Sequence, residues 1–564
     1  MGIQNPKHKK ADPLHLGNGK WAAKVNKLLG YKIIYERYFE RSFDFARSST
    51  TTRVNKDGYV EDVASDTARI DYATSPEGAL LTEPASTNLI TYPISFGNSY
   101  WTKSGASIEG DSSTAGSELV TNGDFESGDV DWNKGTGWTI TDVGGWSAKC
   151  DGTQTDWTNL IQTGVFTLDK FYIINFDVTV TSGTLRMSIQ TPSTYLSEEF
   201  TTSGNKTVYA IASGTGLFVQ GNTDFTGSID NISVKEVQGF EAPKVDTSGD
   251  LEREAYKLVE DTSNGIHVFY RNYSASGSAV YTHSVYAKKG ERSWVKLIGA
   301  GGNAEAYFDL ENGVLGSVNY GDAKIEAMAN GWYRCSVTGE ISVGGTTSTY
   351  WLRIADADNS DTYTGDGTSG LYIAYAQLEE SDYASSLMLP TTEGSTTSRV
   401  ADAVTNAGSQ GLFSGVNSSG VLYAEIAANS DDGTSRYISL SGSGTSNSIV
   451  LRYISSDRVL GSLQKGGAGQ AEIIHTLTDM TDVHKVAFRW YGDTTTASNG
   501  RFSLWIDGVM VESEDVSGLT FPPLTLTELN FDRGDGVGNF YGKTRAVEVL
   551  PYMSDTEMSL LTSP

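Results

Sequence analysis

Along most of the chain, apolar and polar residues alternate with a period of two. Phe171 to Val180, FYIINFDVTV, is the plainest case, and that period puts one face of an extended segment in a core and the other outside it. Gly216 to Gln220 and Ser228 to Val234 read as further strands. Near the C-terminus VLYAEIAA, RYISLSG, SIVLRYISS, HKVAFRWYG, RFSLWIDGVMVE and KTRAVEVLP follow one another, parted by Gly, Asn, Asp and Ser. Within Arg501 to Ser513 the Asp507-Gly508 pair predicts a hairpin turn. Ser554-Asp555-Thr556-Glu557 is a capping box and predicts a short closing helix. Near the N-terminus the pattern changes: Trp21, Val25, Leu28, Tyr35 and Phe39 fit one face of a helix, although Tyr31 to Tyr38 suits a strand equally well. The expected fold class is all-β, with several β-sandwiches of jelly-roll or lectin-like kind in series and a small N-terminal segment.

At 564 residues the chain exceeds what one core supports. Its 62 Gly against 12 Pro suit many turns, and 11% aromatic residues argue against disorder although only 38% are hydrophobic. Two stretches open alike: Asn88 to Gly105, NLITYPISFGNSYWTKSG, and Glu118 to Gly135, ELVTNGDFESGDVDWNKG. The first has no completion before the second begins, which implies one module inserted in another.

A formal net charge of −27 leaves little surface to neutralise phosphates, so nucleic acid is excluded as a partner. Cys150 and Cys335 fall in different modules and are expected as reduced core residues. No apolar run is long enough to span a bilayer, and no signal-peptide core follows Met1. Locally, Lys7, Lys9, Lys10, Lys20, Lys24, Lys27, Lys32, Arg37 and Arg41 make the first segment basic, the charge pattern of an anchor on an acidic partner.

The stretch FDFARSSTTTRVNKDGYVEDV, ARIDY, ALLTEPASTNLITY resembles one common in bacteriophage structural proteins, a likeness that covers roughly residues 43 to 105. The later motifs of that family stand in order as KLVEDTSNGIHVFY, SVYAKKGERSWVKL, AYFDLENG, NGWYRCSV and TGDGTSGLYIAYAQLEE. LVTNGDFESGDVDWN and GSIDNISVKEV resemble the ends of carbohydrate-binding jelly rolls, and YGKTRAVEVLPYMSDTEMSLL resembles the close of concanavalin A-like or laminin-G-like sandwiches. Together these imply an anchoring segment at 1–83, an outer sandwich at 84–116 and 239–392, an inserted jelly roll at 117–238 and a terminal sandwich at 395–564.

None of the six histidines stands in an HExxH or HxxxH pattern, and GxSxG is absent. Glu512, Glu514 and Asp515 come nearest to a glycosidase carboxylate set but follow a hairpin strand, as solvated charges do. No enzyme activity is expected. Sugars stack on aromatic rings and bond short polar side chains, which makes Trp132, Trp138, Trp146 and Trp157, with Asp129, Asp131, Asn133 and Asp156 close by, the candidate platform. Taken singly, each Trp suits a core as well. Asn122, Asp124, Glu126 and Asp129, around Gly123 and Gly128, supply hard oxygen ligands for a structural calcium ion, as the jelly-roll resemblance implies, and equally suit ordinary Asx turns. Asp356, Asp358, Asp361 and Asp366 form a second acidic loop of the same character, and Arg533-Gly534-Asp535 is expected as a loop of the last sandwich.

The resemblance implies a virion structural protein, a head or tail fibre, appendage or decoration. It would be made in the host bacterial cytoplasm, fixed to capsid, portal or tail proteins through its N-terminus, and would bind host-surface glycans without entering a membrane. A homo-oligomer is expected by analogy with trimeric fibres. Two rival readings are a polysaccharide depolymerase, which needs a carboxylate pair roughly 5 to 9.5 Å apart, and a purely structural capsid or tail component, in which all four tryptophans are buried.

Overall fold

The computed structural model describes residues 14–17, 21, 23–24, 27–34, 37–109, 116–168, 170–189, 195–236, 241–247, 249, 251–252, 254–275, 278–342, 347–442, 444–492, 499–517 and 525–564. Nearly all regular structure in them is β, and the sheets stack in pairs as three sandwiches nested in sequence.

The outermost sandwich joins the two ends of the chain. Leu14–Gly17 runs antiparallel to Gly542–Leu550, with Leu14 opposite Val549. Ala79–Thr82 pairs with the other end of that strand, and Arg37–Ala46 pairs with Ala403–Thr405. These strands extend a sheet of 12, which packs on a five-stranded sheet running from Arg436–Ser441 to Glu528–Asn530. Its core mixes Leu16, Leu28, Phe43, Phe45, Ile70 and Leu80 with Leu451, Phe488, Trp490 and Val547. The first segment is therefore not a separate element of the fold. It is not helical either: Lys27–Ile34 and Arg37–Ala46 form a hairpin that sets Leu28 opposite Phe43. Strand pairing outcompetes the local helical spacing because it buries both residues. Lys7, Lys9, Lys10, Lys20, Val25 and Tyr35 lie outside the described residues.

The middle sandwich has two six-stranded sheets, and the strands flanking the insert are neighbours across it. Thr102–Ser104 pairs with His267–Ser274, and Ala106–Glu109 pairs with Tyr256–Glu260. Trp101 fills its core: the ring stacks on Phe269 at 4.2 Å and Nε1 donates to the Tyr92 carbonyl at 2.9 Å. His283 is shut in the same core, stacked flat on Tyr350 at 5.1 Å with Nε2 3.0 Å from the Tyr273 hydroxyl. A Cβ on Gly299 would meet that imidazole at 2.4 Å, so only glycine fits there.

The insert has two five-stranded sheets and its own core. Its ends meet: Gly116 N donates to the Glu236 carbonyl at 2.9 Å, and Glu118 bridges Lys235. A host module tolerates an insertion whose ends are adjacent. The expected strand at 171–180 is observed as Phe171–Ser182.

Where the terminal and middle sandwiches meet, five charged side chains form one buried cluster. Arg69 pairs with both Glu83 and Asp402, Arg47 Nη1 lies 3.1 Å from Asp402 Oδ1, and Arg399 Nη1 lies 3.0 Å from Glu83 Oε2. Burial pushes the Glu83 carboxyl up, but Arg399 and Arg69 outweigh it and hold it far below the usual carboxylate range. Beside it, Asn88 spends its whole amide on the backbone, donating to Ala376 and Met388 carbonyls and accepting from Leu378 and Ile90. Arg47, Arg69, Glu83 and Asn88 belong to ARSS, ARID, LTEP and STNL, the very motifs that carry the phage resemblance. Those motifs build the junction.

Both cysteines are free thiols buried in different sandwiches, and burial pushes each thiol up from its ordinary value. Among the described residues no helix is long and apolar enough to cross a membrane.

Candidate functional site

The four insert tryptophans part company. Trp132 is 5% exposed, packed on Phe125 at 5.2 Å, with Nε1 donating to the Asn122 carbonyl at 2.9 Å. Trp138 is 4% exposed and leans on Phe225 at 6.0 Å, its Nε1 buried without a partner among the described residues. Neither can be a sugar platform: both are core, because they face inward from the opening loop and the strand Trp138–Thr141. Trp146 is half-buried at the edge of that core.

Trp157 is half-buried, as Trp146 is, but it leads into the strand Thr158–Gln162. On that strand Thr158, Leu160 and Gln162 point inward, so Asn159 and Ile161 face out. The sheet register sets Asn159 opposite Gln220, and Gln220 opposite Arg186. Arg186 Nε donates to Gln220 Oε1 at 3.0 Å, and Gln220 Nε2 donates to Asn159 Oδ1 at 2.7 Å. The Arg186 guanidinium also lies 3.4 Å over the Trp157 ring. The result is an aromatic ring fixed by a cation at the end of a polar row, with Ile161 and Phe218 alongside. Such a face offers stacking area and oriented donors and acceptors to a flat, hydroxylated ligand.

A second face of this kind was not legible as a site in the sequence. In the middle sandwich Leu352 and Ile354 point into the core, so Trp351 and Arg353 point out. Trp351 stands opposite Tyr270, their rings stacked at 5.0 Å. Arg353 lies 4.7 Å over Trp351 and donates to Asp361 at 2.7 Å, while Lys296 pairs with Glu305 at 2.9 Å. The signal available was the alternation in STYWLRIA, which places an aromatic and a cation two residues apart on one face.

The proposed calcium ligands do not fit a cation as a set. Asn122 donates through Nδ2 to the Gly128 and Val130 carbonyls and accepts from Ser127 N. Asp129 pairs with Lys134 at 2.5 Å. Asp124 Oδ1 accepts from Glu126 N in an ordinary turn; burial, then the charges of Asp177, Asp124 and Glu126, push the Asp230 carboxyl up. Among the described residues no cluster of three His, Cys, Asp or Glu is placed to hold a metal ion. In the second acidic loop Asp361 pairs with Arg353, Asp358 accepts from Ser317, and Asp366 caps Thr368 and Ser369. Arg533 and Asp535 pair with each other in their loop. Glu512, Glu514 and Asp515 are exposed on the edge strand Val509–Ser517.

No protein-family model matches the chain, and no curated protein matches it. Among solved structures it is similar to the carbohydrate-binding module CBM40 of a Ruminococcus gnavus IT-sialidase, at 13% identity over 27% of this chain and 86% of that one, with a TM-score of 0.23. The same module bound to α2,3-sialyllactose matches at 12% identity over 28% and 94%, with a TM-score of 0.24. The tandem CBM22-1–CBM22-2 of Xyn10C from Paenibacillus barcinonensis matches at 13% over 48% and 98%, with a TM-score of 0.21. At these TM-scores the likeness decides nothing about ligand.

Proposed function

We propose that the chain is a carbohydrate-binding adhesin whose insert takes a glycan on the sheet face beside Trp157. The observation that carries this reading is the Trp157–Arg186–Gln220–Asn159 row, an outward aromatic with a hydrogen-bonded polar ladder. A pyranose stacks its apolar face on the part of the Trp157 ring that Arg186 leaves open while its hydroxyls meet the half-buried Asn159 amide; Gln220, only 1% exposed, holds Arg186 and Asn159 in place beneath them. The Trp351–Tyr270 face of the middle sandwich supplies a second contact surface, and two weak faces on one chain gain avidity together.

The setting we propose is the surface of a bacteriophage virion, as a fibre or decoration that meets the host's glycans. The motif resemblance over roughly residues 43 to 105 and the acidic net charge of −27, which keeps crowded copies soluble, support it. Attachment through the N-terminus belongs to the same proposal. So do a homo-oligomeric state and the absence of hydrolysis, since the exposed carboxylates Glu512 and Glu514 stand on an edge strand rather than in a groove.

Binding of the full-length chain to an array of bacterial surface glycans tests the reading. Saturable binding lost in Trp157→Ala, with the fold retained, is the expected result. Equal binding by that variant moves the site elsewhere.

A further inference from the structure

One cavity stands apart from both sheet faces. Between the middle and terminal sandwiches lies a cleft of about 1860 Å³. One wall is the outward face of the sheet that carries Trp332–Ile341. Cys335 and Val337 of that strand point into the core, so Arg334, Ser336 and Thr338 point into the cleft. The register sets Glu326 opposite Arg334 and Arg334 opposite Tyr286, one row across three strands. The facing wall comes from the terminal sandwich and includes Asp71, Lys543 and Arg545.

The anions of this end have partners. Glu326 pairs with Lys324 at 2.8 Å, and Asp71 accepts from Val54 N and Ala73 N. The cations do not all have them. Arg334, 7% exposed, bonds only the Ser284 hydroxyl and the Ala384 carbonyl and makes no ion pair among the described residues. Half-buried Lys543 makes no side-chain hydrogen bond or ion pair among the described residues. Tyr286, 3% exposed, lines the cleft, and its hydroxyl takes no hydrogen bond among the described residues. Glu326, opposite Arg334, lends its charge to Arg334 and Lys543 without an ion-pair contact to either among the described residues, and Arg334 Nε is buried with no hydrogen-bond partner among them. An orphaned buried donor is costly, and the side chains of Arg334 and Tyr286 border one open space.

We propose that this cleft binds a carboxylate-bearing saccharide, its carboxylate held by Arg334 and Lys543 and bonded by the Tyr286 hydroxyl. The planar guanidinium suits a carboxylate, and the ammonium adds a point charge from the opposite wall. Further along, the cleft is lined by Asp322, Glu340, Asp382 and Asp482. Those side chains repel a second anion but accept hydrogen bonds from neutral sugar hydroxyls. The site therefore selects a chain with one acidic sugar at the Arg334 end, not a polyanion. This site is independent of the Trp157 face.

Calorimetric titration of the full-length chain tests it, with galacturonate- or N-acetylneuraminate-terminated trisaccharides, maltotriose and glucose 6-phosphate as probes. Binding of a carboxylated probe and not of maltotriose is expected, and which carboxylated probe binds names its source. Tyr286→Phe and Lys543→Gln each remove a group without opening a core cavity and are each expected to weaken that binding by about tenfold. Arg334→Gln is expected to abolish it, judged only if its thermal melt is unchanged. Trp157→Ala is expected to leave it intact, which separates this site from the sheet face. No carboxylated probe binding, binding of glucose 6-phosphate alone, or full affinity in both Tyr286→Phe and Lys543→Gln would overturn the proposal.

Discussion

Arg69 and Asp402 stand 333 residues apart in the chain and are joined by an ion pair that solvent does not reach. The same carboxylate holds Arg47, and Arg69 also holds Glu83, so removing one partner strands several charges. Asp402→Ala is expected to destabilise the terminal sandwich by about 3–5 kcal/mol, the usual cost of leaving buried charges unpaired. Urea unfolding followed by tryptophan fluorescence measures it. A loss below 1 kcal/mol (roughly the worth of an exposed pair) would mean the cluster is open to water.

The pairing of Leu14–Gly17 and Ala79–Thr82 with Gly542–Leu550 carries a second expectation. A fragment of residues 395–564 lacks those strands and exposes the edge of a long apolar strand. It is expected to aggregate or to lack a cooperative melt, whereas the full-length chain melts cooperatively. A soluble, cooperatively folded fragment would contradict the joined-ends architecture.

How much of this could be read from the sequence divides along the range of the interaction. The hairpin at Asp507-Gly508 and the Ser554–Glu557 capping box are local, and both are present, with Asp507 and Gly508 at positive φ and Ser554 accepting from Glu557 N. The alternation of FYIINFDVTV is local too, and the strand is there. The pairing of Leu14 with Val549 leaves no local trace, so the first segment looked self-contained. Composition singled out the insert as tryptophan-rich but could not say which rings point out. That depends on register: Trp138 faces the core from its own strand, while Trp157 precedes one whose even-numbered residues face in. Trp351 and Tyr270 meet only through the register of strands about 80 residues apart.

The burial difference makes the tryptophans experimentally separable. Trp132→Ala is expected to cost about 3–5 kcal/mol of insert stability, as for other large core residues. Trp157→Ala, on a half-buried ring outside the insert's core cluster, is expected to cost less than about 1 kcal/mol. Thermal melts of the two full-length variants check the contrast, and equal losses would place Trp157 in the core.

His283 sets a pH dependence. Burial pushes its imidazole from 6.5 down to about 3. The unfolded chain takes up a proton near pH 6.5 that the folded chain refuses until near pH 3. Stability from this residue is thus complete above pH 6.5 and falls with acidification, at up to about 1.4 kcal/mol per pH unit. His283→Phe, which keeps the ring stack on Tyr350, is expected to flatten that fall between pH 6.5 and 4. Urea midpoints across that range measure the slope, and parallel slopes in the two proteins would mean His283 is protonated in the fold.

The most direct test of the central claim is glycan-array binding by the full-length chain beside its Trp157→Ala and Trp351→Ala variants. A glycan-binding adhesin that uses these two sheet faces gives saturable binding that Trp157→Ala abolishes and Trp351→Ala weakens, with melts unchanged. An array on which the folded wild-type chain binds nothing, even when multimerised, would contradict it.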